Sequence, residues 1–171
     1  DVCSSDLVIA DITVSAQTGG AGADSVGINA AANGTIINNI WCAGFAQNIR
    51  LANTDTVLQN SVSEVSRSGG VGVVITSSSV TVADCIIYDC YLGLVVAGAL
   101  FTDGTVSITN VRTSACTYAG FAIDNSSNVS ITNCSSCHNN IGKYTYAGLY
   151  ISDRKSTRLN SSHVSESRMP S

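Results

Sequence analysis

The chain has 171 residues, with eight Lys and Arg against twelve Asp and Glu, a net charge of −4. Between Val8 and Ser152 the bases are Arg50, Arg67, Arg112 and Lys143, scattered singly with no stripe to neutralise phosphates, so nucleic acid is not an expected partner. No apolar run approaches the ~20 residues that cross a bilayer as a helix, and no membrane span is expected.

Taken in chain order, the first stretch, Asp1-Val-Cys-Ser-Ser-Asp-Leu7, resembles one frame of translated sequencing adapter. Asp153 to His163 and Ser167 to Ser171 resemble adapter too. Residues 1–7 and 153–171 are therefore expected to be artefactual, the tail disordered, and they are set aside before fold reasoning. The remaining body, Val8 to Ser152, holds eight acids and four bases in a background rich in Gly, Ser, Thr and Asn.

Six rows of about equal length follow, beginning at Val8, Gly34, Thr56, Val80, Thr105 and Val129, and two columns recur through all of them. The first is a short β-branched alternation ending in Asn or Asp: Asp11, Asn39, Asn60, Asp84, Asn110 and Asn133. The second is a small residue followed by apolar-x-apolar, seen at Gly27, Asn48, Gly72, Gly93, Gly120 and Gly148. Apolar runs this short, with period two and Gly, Asn and Ser between them, are strands rather than helices. The single Pro, Pro170, lies in the tail, so nothing interrupts strand pairing. A leucine-rich repeat has a similar period but demands a Leu-rich consensus that is absent.

Val129-Ser-Ile-Thr-Asn-Cys134 and Gly148-Leu-Tyr-Ile151 resemble the "V-x-I-x-N-C … G-L-x-I" repeat of the pectin-lyase-like right-handed parallel β-helices. The resemblance implies an all-β, single-stranded right-handed parallel β-helix of about six coils, truncated at both ends. Coils stack ~4.8 Å apart, so equivalent positions lie over one another. Val106, Ile108, Val129 and Ile131 are expected inward, with Ser107, Thr109, Ser130 and Thr132 outward. Asn39, Asn60, Asp84, Asn110 and Asn133 are read as a structural ladder at a left-handed corner. Gly in the second column is read as backbone freedom at the next corner. A solenoid without caps exposes strand edges, so Val8 to Ser152 alone is expected to aggregate or to be marginally stable.

With Cys3 set aside, six cysteines remain. Cys85 and Cys134 share a column two coils apart, too far for a bridge, whereas Cys90 and Cys116 in adjacent coils permit either a disulfide or two stacked thiols, the second being favoured. Cys134-x-x-Cys137-His138 has a metal-like spacing, but one His and no second Cys pair supply no zinc set. No metal or other cofactor is expected.

Asn53-Thr54-Asp55 and Asp84-Cys85-Ile86 resemble motifs of polygalacturonase-like glycoside hydrolases, but Ala83 stands where a second acid belongs and no Gly-His-Gly or Arg-x-Lys follows. Those Asn and Asp are read as turn residues. Glu64 and Asp89 fall after the ladder position in neighbouring coils and are the catalytic candidates, as an acid/base pair for glycosidic cleavage, against the simpler reading as solvated surface acids. Lyase chemistry would add an Asp cluster to Arg112, and none is present. All six Tyr lie in the last three rows. Tyr91 and Tyr118 are the carbohydrate-binding candidates, since a phenol offers a sugar both an apolar face and a hydroxyl, with coverage of coil edges as the alternative.

The expected function is that of a fragment of a polysaccharide-engaging β-helix protein, either a carbohydrate-active lyase or hydrolase or a phage tailspike-like spike, the latter a possible homotrimer. The partner is a polysaccharide or cell-surface glycan, and the location is secreted, at the cell surface or on a virion. The alternative is a non-catalytic structural stalk or adhesin.

Overall fold

The computed structural model describes residues 7–16, 22, 24–64, 69–97, 104–124, 128–139 and 148–152. The adapter-like stretches, apart from Leu7, lie outside these residues. So do Arg67, Lys143, Tyr144 and Tyr146.

All regular structure among the described residues is β, in three six-stranded parallel sheets. Sheet A stacks Val8–Ala10, Ile36–Asn38, Val57–Gln59, Thr81–Ala83, Val106–Thr109 and Val129–Thr132. Sheet B stacks Thr13–Ser15, Trp41–Ala43, Val62–Glu64, Ile86–Tyr88, Arg112–Ser114 and Ser135–Cys137. Sheet C stacks Val26–Ala30, Gln47–Leu51, Val71–Ile75, Leu92–Ala97, Ala119–Asp124 and Leu149–Ser152. The chain visits A, B and C in turn, six times, so each sheet contains five coil-to-coil steps. Among the described residues, no helix is long and apolar enough to cross a membrane.

The core is the inside of this three-sided tube. Val106, Ile108, Val129 and Ile131 are buried and in register, while Ser107, Thr109, Ser130 and Thr132 alternate outward. Aliphatic columns such as Ile37, Leu58, Val82 and Ile108 run unbroken up sheet A. Burial of this kind contributes ~25 cal/mol per Å² of apolar area.

The corners explain the sequence columns. Between sheets A and B, Asp11, Asn39, Asn60, Asp84, Asn110 and Asn133 all have left-handed backbones, with φ from 50 to 56°. Their N–H groups step from coil to coil: Asn39 donates to the Gln59 carbonyl, Asn60 to Ala83, Asp84 to Thr109 and Asn110 to Thr132. Side chains join some steps, with Asn39 Nδ2 donating to Asp11 Oδ1 at 2.7 Å and Asn110 Nδ2 to Asp84 Oδ1 at 3.0 Å. Asn60 Nδ2 instead reaches Asn38 Oδ1 at 2.9 Å. Two more left-handed columns occupy the other corners. Gly34, Asp55, Ser79 and Asn128 lie between C and A, and Gly44, Asp89, Ala115 and His138 between B and C.

The small-residue column has a different cause from the one its sequence suggests. Gly27, Gly72, Gly93 and Gly120 sit within strands of sheet C, with no left-handed φ. What they require is space: a Cβ on Gly72 would meet Ile87 Cγ2 at 2.5 Å and the Gly93 carbonyl oxygen at 2.8 Å. Real Cβ atoms do not tolerate such approaches, so close packing of sheet C against sheet B selects Gly here. Asn48 fills this column in the second coil and is fully buried, its amide donating to Ser63 Oγ and the Glu64 carbonyl, both at 3.0 Å, and accepting from Phe45 N–H at 3.0 Å. Complete pairing makes that buried amide tolerable.

Candidate functional site

The described interior is filled by buried, mostly aliphatic side chains. A gap lined by Phe121, Ile131, Cys134, Ser136 and Leu149 has a volume of about 10 Å³, room for one water at most. The candidate side chains lie on the outer surface, at the corner between sheets B and C.

Strand register builds that corner. Glu64 lies at the end of its strand, directly opposite Tyr88 of the next coil. Asp89 follows Tyr88 at the left-handed corner, and Tyr91 opens the approach to sheet C. Tyr118 occupies the same place one coil on, its N–H donating to the Tyr91 carbonyl at 2.9 Å. The two rings stack with centroids 5.2 Å apart and planes 23° from parallel. The parallel ladder brings equivalent residues to about this spacing, and offset stacking of the two quadrupoles adds to it.

The two carboxylates differ in setting. Glu64 is half-buried and points outward, since Ser63 beside it faces in at 1 % exposure. Asp89 is exposed. Its φ of 54° and the bond from its N–H to the Ser114 carbonyl at 3.1 Å give it a structural role at the corner, apart from any chemistry. The acids thus stand in adjacent coils offset by one residue rather than face to face.

Other motifs resolve into structure. Asn53-Thr54-Asp55 forms a turn, with Asn53 Nδ2 donating to the Ala31 carbonyl at 2.8 Å, Thr54 N–H to Asn53 Oδ1 at 3.0 Å, and Thr56 Oγ1 to the Asn53 carbonyl at 2.8 Å. Cys134 points into the core and Cys137 outward, so Cys-x-x-Cys makes no chelate. Among the described residues, no three His, Cys, Asp or Glu side chains come together around a common point.

The six described cysteines are free thiols. Burial pushes Cys42 up to about 12, and pushes Cys116 to about 12 with help from neighbouring Cys90 and Asp89. Burial, with the nearby Asp84 charge, raises Cys85 to about 11. Such thiols stay protonated and behave as small hydrophobes. Cys137 is the half-exposed one, with Arg112 Nη2 3.9 Å from its sulfur.

One surface feature escaped the repeat pattern. Register places Trp41, Val62, Ile86 and Arg112 in a single outward column of sheet B, one per coil. Ile86 is 46 % exposed. The signal available in the sequence was the lone Trp41 and the apolar Val62 and Ile86, each two positions after its corner Asn or Asp, masked by the stronger inward alternation.

The three-sided parallel coil agrees with the comparison against known families, in which the right-handed β-helix region matches residues 24–169. No curated protein and no solved structure matches the chain. With the matched region running through five of the six coils and on into the tail, and with the coil geometry above, the chain belongs to the right-handed β-helix family.

Proposed function

We propose that the protein engages polysaccharide at the corner between sheets B and C. The observation that carries this reading is the Tyr91–Tyr118 stack, 5.2 Å between centroids, on the same corner as Glu64, Tyr88 and Asp89. Stacking gives one face of each ring to the other, so the pair acts as a single two-coil aromatic block whose hydroxyls and edges address a sugar. Beside it, the outward Glu64 carboxylate accepts from sugar hydroxyls. A solenoid whose described interior is packed with side chains suits a long polymer, which lies along the outside and meets several coils at once. Such a protein would act outside the cell, at a cell surface or on a virion, and a spike of this type would trimerise.

Binding is better supported than cleavage, because Asp89 already has a backbone reason to be where it is. The test is a polysaccharide panel scored twice, for retention in affinity electrophoresis and for reducing ends or unsaturated products. Retention that weakens about tenfold in Tyr91→Ala and Tyr118→Ala, with no products, supports a non-catalytic binder. Products that disappear in Glu64→Gln with an unchanged melt make the corner an active site. Neither retention nor products would leave the coil as a rigid stalk, a reading favoured by the short hydrogen-bonded corners.

A further inference from the structure

We propose that the outward face of sheet B is a track for an extended, mainly neutral glycan running parallel to the solenoid axis, with successive sugars meeting Trp41, Val62, Ile86 and Arg112. This rests on the polysaccharide reading and gives it a substrate class and a direction.

Four observations carry it. The first is register: these residues occupy one outward column in four successive coils. Adjacent coils are ~4.8 Å apart, close to the advance of one sugar in an extended pyranose chain, so polymer and protein share a period and each coil meets one ring. The second is chemistry. An indole and two aliphatic side chains present CH and π surface to the apolar faces of sugars, while the neighbouring outward column offers the Glu64 carboxylate and the Tyr88 hydroxyl to ring hydroxyls.

The third is charge. Glu64 and Arg112 balance on this face, and the chain as a whole carries −4, which opposes a polyuronate and admits a neutral chain. The fourth is width. The apolar strip is one side chain wide, formed by Trp41, Val62 and Ile86 and bordered by Glu64 and Tyr88, far fewer residues than the ~20–30 a side of a standard protein interface. The exposed Ile86, at 46 %, therefore suits a narrow linear ligand better than a second protein.

Trp41 is the only tryptophan in the chain, so its fluorescence reports on this face alone. The full chain is titrated with linear β-1,4-linked gluco-, manno- and xylo-oligosaccharides of increasing length, with oligogalacturonate as the charged control. The expected result is a saturable change in Trp41 emission with a neutral series, affinity rising with length and levelling at about four sugars, one per coil of the column. Trp41→Ala and Ile86→Lys, followed by affinity electrophoresis, should each weaken binding about tenfold. Ile86→Lys changes the face without entering the core, so loss of binding there is not loss of fold.

Binding that leaves Trp41 emission and the Ile86→Lys variant unaffected, but is lost in Tyr91→Ala, overturns the track while the corner reading stands. No binding to any series overturns both. Concentration-dependent self-association abolished by Ile86→Lys makes the face a protein contact and also overturns the proposal.

Discussion

At the scale of single residues, the corners set the rules. A left-handed backbone costs an ordinary L-residue ~1–2 kcal/mol, less for Asn, Asp and Gly. Ala115, at φ 54°, bears that cost without a side chain to offset it. Ala115→Gly is expected to raise stability by about 0.5–1 kcal/mol, read as a higher urea midpoint at unchanged slope. The converse change, Asn110→Ala, should lower it by about 1–2 kcal/mol, losing both the tolerated conformation and the bond to Asp84. The corner between A and B was legible because all six of its residues are Asn or Asp. The corner between B and C was not, since Ala115 and His138 carry no such signature, and Asp89 was read for its charge rather than its backbone.

The buried thiols give a pH dependence with a definite sign. Cys42, Cys85 and Cys116 have folded values near 12, 11 and 12, above the ordinary 9.0. Between pH 9 and 11 the folded state keeps protons that the unfolded chain releases, so stability is present below pH 9 and falls as pH rises. Denaturant melts at pH 8, 9.5 and 11 should show a declining midpoint. A flat midpoint across that range would contradict the burial of these groups.

At the scale of elements, the decisive fit is that of sheet C, coil against coil and against the residues arriving from sheet B. A Cβ on Gly93 would run into the Gly120 carbonyl oxygen and lie 3.2 Å from Cys116 Sγ. Gly93→Ala should therefore cost about 2–3 kcal/mol, whereas Gly22→Ala, with nothing within 4 Å of its Cβ, should stay within about 0.5 kcal/mol of the parent. Thermal melts of the pair separate steric need from chain entropy. The strands themselves were readable, because period-two alternation in Val106 to Thr109 and Val129 to Thr132 translates directly into inward and outward faces. The glycine column was seen but assigned to a corner, since sequence spacing does not reveal how near the facing sheet comes. Trp41 went unnoticed for a related reason: what makes it part of a surface is the register with Val62 and Ile86, which no single row displays.

At the scale of the molecule, each coil touches only its neighbours, and whole coils are interchangeable. Thr81 pairs with both Val57 and Ser107, so deleting residues 81–106 brings Ser107 to the place of Thr81 in unbroken register. That variant should keep its β circular-dichroism signal and one cooperative transition at reduced stability. Deleting residues 81–93 removes half a coil, puts strands of different sheets in line, and should abolish the transition.

The same neighbour pairing governs how the chain reaches its native state. Corner residues recur at intervals of 21 to 28 positions, so a strand always finds its partner across a loop of nearly constant length. Loop-closure entropy grows only with the logarithm of loop length, and here the loop does not grow at all as the rod lengthens. Once one pair of coils has formed, every later coil closes at the same entropic cost onto a finished template. Folding time should then rise in proportion to the number of coils, as in zippering, rather than with the steep dependence on topology that slows other all-β proteins.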